Sequence, residues 1–216
     1  MKHPKKSLGQ NFLNDKNIVK KIIQLTKIEN QNIIEIGPGY GILTSEIIKL
    51  KPRKLIIIEK DNKLHDSLVK KYKNYNVTII NDDAMNYNFK KINKYKIISN
   101  LPYNISSKFI MKVLKINKSN ITEIICMIQS ELANKFNYSE DKINKYKFLC
   151  KYCAEYKIEF KVSPSVFYPK PKVNSKVVKF MMKNSEIDIE KMNFFLNNFF
   201  VNKRKKIKSN KYFNNI

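Results

Sequence analysis

Asn100-Leu101-Pro102-Tyr103 carries more chemistry than any other stretch of this 216-residue chain. It follows the apolar run Tyr95-Lys96-Ile97-Ile98-Ser99, which reads as a buried strand. Proline removes a backbone donor and fixes the turn. The Asn100 amide oxygen and the carbonyls of Asn100 and Leu101 can then point into one space, with the Tyr103 ring beside them. Such a pocket accepts hydrogen bonds from an amino group on a planar ring and stacks that ring. A flipped adenine makes that demand.

A second motif can supply the other reactant. Gln31-Asn32-Ile33-Ile34-Glu35-Ile36 runs into Gly37-Pro38-Gly39-Tyr40-Gly41 and on into the helix-like Ile42-Leu43-Thr44-Ser45-Glu46-Ile47-Ile48. The chain has four glycines, and three are here. They are expected to make a tight turn and to let the backbone approach a ligand closely. A dinucleotide fingerprint wants glycine at 42, where isoleucine stands. Pro38 also removes an amide that would cradle a phosphate. Both points favour a nucleoside ligand without pyrophosphate. Glu59 ends the next apolar run, 55–58, and a carboxylate there can accept from ribose hydroxyls. S-adenosylmethionine fits this pattern better than NAD.

These residues resemble the KsgA-type ribosomal RNA adenine dimethyltransferases. The matching pieces are Gly9-Gln10-Asn11-Phe12-Leu13-Asn14-Asp15, Glu35-Ile36-Gly37-Pro38-Gly39, Glu59, Asp83-Ala84-Met85, Asn100-Leu101-Pro102-Tyr103-Asn104-Ile105-Ser106 and Phe167-Tyr168-Pro169-Lys170-Pro171-Lys172-Val173-Asn174-Ser175. They stand in the family's order. The resemblance implies a Rossmann-like class I methyltransferase using S-adenosyl-L-methionine to dimethylate two adjacent adenines near the 3′ end of small-subunit rRNA, free or in a pre-small-subunit particle. It places Asn11, Leu13, Gly37, Glu59, Asp83 and Asn100 at the cofactor, with Asp82 the rival of Asp83. Asn100, Leu101, Pro102 and Tyr103 fall at the reacting amino group, which would give its hydrogens to the Asn100 side chain and to the carbonyl of Leu101 or Pro102. Tyr103 would stack through its ring face, with no role for its hydroxyl. Phe167 would supply a second face, and Lys170 and Lys172 phosphate contacts. The family continues into a longer helical lobe after Lys203-Arg204-Lys205-Lys206-Ile207-Lys208. Here that lobe is expected to be a basic helical stub, so residues 1–182 form the methyltransferase unit and 183–216 a short C-terminal region. The chain departs from the family at Ser130, usually lysine, and after Tyr146, usually followed by glycine.

The elements that must position these motifs alternate between apolar runs and helix-period segments. That pattern predicts an α/β fold, a seven-stranded, mostly parallel sheet with helices on both faces. Strands are expected near 32–36, 55–58, 77–80, 95–99, 123–128, 153–160 and 175–181. Helices are expected near 15–27, 42–50, 61–72, 105–115, 130–137, 142–150 and 188–200. Asn104, Ser106 or Ser107 would cap the fourth helix, and 162–175 reads as an extended, proline-rich connector. Ligands of such sheets sit beyond the carboxyl ends of the strands where the order reverses. Strands 32–36 and 95–99 would be neighbours there, opening both motifs on one crevice.

Lys plus Arg number 43 against 18 Asp plus Glu, a formal charge of +25 that suits a polyanionic partner. Lys, Ile and Asn make up close to half the chain and Arg stands only at 53 and 204, so A/T-rich coding pressure is the alternative source of the charge. Lysine point charges suit phosphate contact rather than bidentate base reading. No secretory signal, membrane-length run or metal set is visible, and Cys150-x-x-Cys153 has no second pair. A cytoplasmic monomer is expected. Three other readings fit parts of the pattern: a large-subunit methyltransferase of the macrolide-resistance type, an RNA-binding assembly factor whose catalysis is secondary, and a DNA adenine methyltransferase. The last usually needs a recognition domain for which this chain has no room.

Overall fold

The computed structural model describes residues 4–5, 8–116, 119–138, 144–184 and 188–199. Nine strands and seven α-helices lie within them. In chain order they are β1 (Phe12–Leu13), α1 (Lys16–Ile23), β2 (Asn32–Ile36), α2 (Ile42–Lys49), β3 (Lys54–Glu59), α3 (Asn62–Tyr72), β4 (Val77–Asn81) and β5 (Tyr95–Asn100). There follow α4 (Tyr103–Val113), β6 (Ile121–Gln129), α5 (Ser130–Phe136), α6 (Lys145–Cys153), β7 (Ala154–Val162), β8 (Phe167–Tyr168), β9 (Ser175–Met182) and α7 (Ile189–Phe199).

Seven strands form one sheet in the order β4-β3-β2-β5-β6-β9-β7. The first five pair in parallel, and β9 runs antiparallel between β6 and β7. Successive strand residues point to opposite faces, so each apolar run feeds two cores. Ile34, Ile97, Ile124, Cys126 and Phe180 pack on one face with α4, α5 and α6. Ile33, Ile57, Ile98, Ile125 and Val177 pack on the other with α1 and α2. Burying each such side chain is worth about 1.5–3 kcal/mol. Leu196 of α7 is buried in the first of these cores, and Phe195 stacks on Phe148 at 4.7 Å between centroids.

All seven expected strands of the main sheet are present. β1 and β8 are additional. They form a two-stranded antiparallel ribbon, Phe12 opposite Tyr168 and Leu13 opposite Phe167. The ribbon and a 3₁₀ turn at Pro164–Val166 occupy part of the stretch expected to be merely extended. The first helix is shorter than its apolar period implies. Beyond Ile23 the backbone is drawn to the sheet: Lys179 donates to the Leu25 carbonyl (2.8 Å), Lys96 to that of Lys27 (3.0 Å), and Thr26 to buried Glu123 (2.6 Å). Glu123 also pairs with Lys179 at 2.7 Å and Lys96 at 3.3 Å. Helix α4 starts earlier than expected, at Tyr103, behind Pro102 and with no side-chain cap. Ser106 instead donates back to the Pro102 carbonyl, and Ser107 meets the Tyr146 hydroxyl. Helix α6 is capped by Asn144 and runs to Cys153. The basic stretch 203–208 lies outside the described residues.

Candidate active site

At the carboxyl ends of β2, β3 and β5, where the sheet order reverses, a cavity of about 1090 Å³ opens, its mouth included. Its walls hold both motifs: Glu35 to Tyr40, Glu59 and Asp82 to Ala84 on one side, Asn100 to Ile105 on the other, and Leu8 to Leu13 across them.

The glycine turn is fitted to protein as much as to ligand. Gly37 and Gly39 both adopt left-handed φ, 60° and 61°. A Cβ on Gly37 would stand 3.1 Å from the Pro102 ring, and one on Gly39 would stand 2.7 Å from the Phe12 ring. Gly41 is not among the lining residues; its carbonyl is held by the Tyr72 hydroxyl at 2.8 Å.

Two buried carboxyls border the turn. Glu59, at the end of β3, accepts from the Asp61 amide at 2.8 Å and from the Gly39 amide. Burial pushes its pKa up, and those amide bonds oppose the rise. An ionised carboxylate offers about four acceptor positions, so capacity for ribose hydroxyls remains. Glu35, in β2, is fully buried and accepts from the Thr44 hydroxyl at 2.6 Å. Burial pushes it up to about 8, so it holds its proton at neutral pH. Its signal in the sequence was an acid inside an apolar run. Asp61 caps α3 through Lys63 (2.9 Å) and Leu64 (3.3 Å), and also takes Lys5 at 2.7 Å. This ties the N-terminal segment down beside the cavity.

Asp82 and Asp83 both line the cavity. Asp83 pairs with Lys60 at 2.8 Å and accepts from the Met85 amide at 2.8 Å. The Lys60 ammonium is the main reason its carboxyl lies below the usual range. Asp82 accepts the amide of Asp83 at 2.7 Å. Lys112, donating to the Met85 and Tyr87 carbonyls, fixes the loop that carries them.

In the other motif the Asn100 amide nitrogen donates to the Asn11 carbonyl at 3.0 Å. That bond directs Asn100 Oδ1 away as an acceptor. The Pro102 carbonyl already takes the Ile105 and Ser106 amides (3.2 and 3.1 Å) and the Ser106 hydroxyl (2.8 Å). It is therefore engaged by α4, and of the two carbonyls considered Leu101 remains. The Leu101 side chain is core, and its amide is fixed on Met127 at 3.2 Å. Tyr103 lines the cavity, and its hydroxyl meets that of Ser175 at 2.6 Å, a role the sequence did not disclose. Leu13 lines the cavity while anchoring the second core. Phe167, expected as a second stacking face, is 5% exposed and packed in that same core, not among the lining residues. Strand alternation turns its neighbour Tyr168 outward instead. Lys170 and Lys172 are exposed.

The residues present fit S-adenosylmethionine: a glycine turn that brings backbone to the cavity, a carboxylate at the end of the next strand, and a second carboxylate one strand further. Among the described residues no cluster of His, Cys, Asp or Glu could hold a metal ion, and no helix is long and apolar enough to cross a membrane. The three cysteines are buried thiols, with Cys150 and Cys153 pushed up by burial to about 12 and about 11.

Residues 1–215 match the family described as ribosomal RNA adenine dimethylase. A relative named ribosomal RNA small subunit methyltransferase A, from Malacoplasma penetrans, is 39% identical over 213 residues, 95% of this chain and 76% of its own length. Another of that name, from Mesomycoplasma hyopneumoniae strain 232, is 40% identical over 195 residues, 89% of this chain and 74% of its own. Among solved structures, a dimethyladenosine transferase from Plasmodium falciparum superposes with a TM-score of 0.78 at 28% identity, covering 90% of this chain and 72% of the other. The 23S rRNA methyltransferase ErmE, 22% identical with a TM-score of 0.76 over 93% and 83% of the two chains, shares the fold.

Proposed function

The chain belongs to the ribosomal RNA adenine dimethylase family, and we propose that its cavity holds S-adenosylmethionine and a flipped adenine of small-subunit rRNA side by side. It is a methyltransferase that dimethylates the amino group of adenine in ribosomal RNA. The small-subunit name carried by relatives at 37–40% identity favours that substrate over large-subunit RNA. Two adjacent adenines near the 3′ end are the targets we infer, in the free RNA or in an assembling particle. A cytoplasmic monomer would perform the reaction. Residues 1–182 would carry the chemistry, and 183–216 a basic region whose helix α7 packs on the same core.

One observation supports the reading: the glycine turn at 37–40 and the motif at 100–103 wall the same cavity. Glu59 would bind the ribose hydroxyls, Asp83 the cofactor's adenine amino group, and Gly37, Asn11 and Leu13 would line the cofactor's bed. The bound cofactor supplies a methyl group on a positively charged sulfur. An adenine amino nitrogen is a poor nucleophile because its lone pair is delocalised into the ring. Asn100 Oδ1 and the Leu101 carbonyl would accept its two hydrogens. They draw the nitrogen toward tetrahedral geometry and aim its lone pair at the methyl. The remaining acceleration comes from placing the reactants in line and from fixed dipoles facing the charge that develops on nitrogen. Methyl transfer would form the N–C bond as the S–C bond breaks, leaving S-adenosylhomocysteine. The product nitrogen is then acidic and releases its proton to water, so no strong base is required. Pro102 sets the turn and Tyr103 stacks the ring. A second cycle on the same nitrogen gives the dimethyl product.

Mass spectrometry of small-subunit rRNA from cells with and without this protein tests the reading. Dimethyladenosine should vanish with the protein. Its persistence, or a loss confined to large-subunit RNA, would overturn the assignment.

A further inference from the structure

Tyr103 and Ser175 lie 72 residues apart, yet their hydroxyls meet at 2.6 Å. Ser175 opens β9, opposite Gln129 of β6 and Val162 of β7, and is fully buried. Its place is fixed by the sheet on both sides. Tyr103 opens α4 and lines the cavity. The helix holds the near end of this side chain and the sheet, through Ser175, holds the far end. A tyrosine on the first turn of a helix is otherwise free to change rotamer, and ordering such a side chain on binding opposes association.

Ser175 is buried behind Tyr103 and is not among the cavity-lining residues. What it can do, it does through Tyr103. The Tyr103 hydroxyl is taken by this bond, which leaves the faces of the ring to a ligand. Resting on the reading of the cavity as an adenine pocket, we propose that Ser175 is a positioning residue: its hydroxyl, bonded to that of Tyr103, holds the ring in the orientation on which the target adenine stacks.

The test uses the full chain in four forms: wild type, Ser175→Ala, Tyr103→Phe, and the double variant. Single-turnover methyl transfer is followed on unmethylated small-subunit rRNA across RNA concentrations. Either single substitution deletes the same bond while keeping the ring. Each should lower the rate at subsaturating RNA roughly three- to tenfold, with a smaller effect at saturation. The double variant should be no worse than the poorer single one, because both remove one interaction. S-adenosylmethionine affinity, measured by calorimetry, should stay within twofold of wild type. RNA carrying 2-aminopurine at the target position should show weaker fluorescence quenching in either single variant, a readout that a purely structural loss would not move. Additive effects, or full rate and full quenching in Ser175→Ala, would overturn the proposal. If Ser175→Ala does not fold, Tyr103→Phe decides alone, and wild-type rate and quenching there overturn it. A wild-type protein that methylates no adenine would instead remove the functional reading on which the proposal rests.

Discussion

Asn100 is where one side chain has two duties. Its nitrogen is tied to the Asn11 carbonyl, and its oxygen is thereby aimed as an acceptor. Asn100→Ala should cut single-turnover methyl transfer by roughly 10²–10³, the usual result of removing one preorganised partner of developing charge, while RNA affinity barely changes. Full activity would rule out the mechanism. Glu59→Ala should weaken S-adenosylmethionine binding by about 1–3 kcal/mol, the cost of leaving polar partners unpaired, and calorimetry would read it directly. Glu35 makes the opposite kind of prediction. Its pKa is about 8 in the folded protein, against 4.5 for an ordinary glutamate in water. Below the lower value both states hold the proton, and the native state is not penalised. As pH rises toward 8 the unfolded chain releases the proton and the native one keeps it, so stability falls. Glu35→Gln should flatten that decline, measured as urea midpoints between about pH 5 and pH 8. An unchanged slope would show that Glu35 is ionised where it sits.

Elements explain which of these residues could be recognised beforehand. The seven strands of the main sheet were legible because β2 to β6 carry isoleucine runs, β9 sets Val177 and Val178 ahead of Phe180, and β7 alternates apolar with charged residues. The crevice was legible too, since the apolar runs ending at Ile36, Glu59 and Asn100 place three motifs at one edge. β1 and β8 have two residues each, too few for any period, and their pairing joins segments far apart in the chain. Without that ribbon, Phe167 reads as a free aromatic, whereas it is core. The bond from Tyr103 to Ser175 and the filling of the Pro102 carbonyl by α4 are likewise products of the fold. Where α1 stops was illegible for another reason. Its apolar period continues past Ile23, but Glu123 with Lys96 and Lys179 pulls residues 25–27 onto the sheet. Glu123→Ala would leave two partly buried ammonium groups without their carboxylate. It should destabilise the fold by about 3 kcal/mol, near the lower end for breaking such a site, while leaving cofactor affinity nearly intact in the folded protein. Denaturant melts and calorimetry at low temperature separate the two effects.

At the scale of the whole molecule the charge of +25 has a direct test. If lysines contact phosphates, RNA binding must weaken with salt, with a log–log slope of about −0.7 to −0.9 for each phosphate neutralised. A flat response would assign the charge to coding pressure. Removing 203–208 should lower RNA affinity and leave cofactor affinity unchanged. The ribbon adds a thermodynamic consequence. β1 adjoins Asn11, whose carbonyl steadies Asn100, and the chain after β8 leads to Ser175, which steadies Tyr103. The Asn14 amide fastens the two segments again at the Val166 carbonyl, 2.8 Å away. A cofactor held against residues 8–13, which line the cavity, would therefore stiffen the residues proposed to meet the RNA. Any such help is reciprocal. S-adenosylhomocysteine should tighten RNA binding several-fold, and RNA should tighten S-adenosylhomocysteine by the same factor; two titrations, each with and without the other ligand, read both. Whichever partner arrives first, it lends the second an equal advantage.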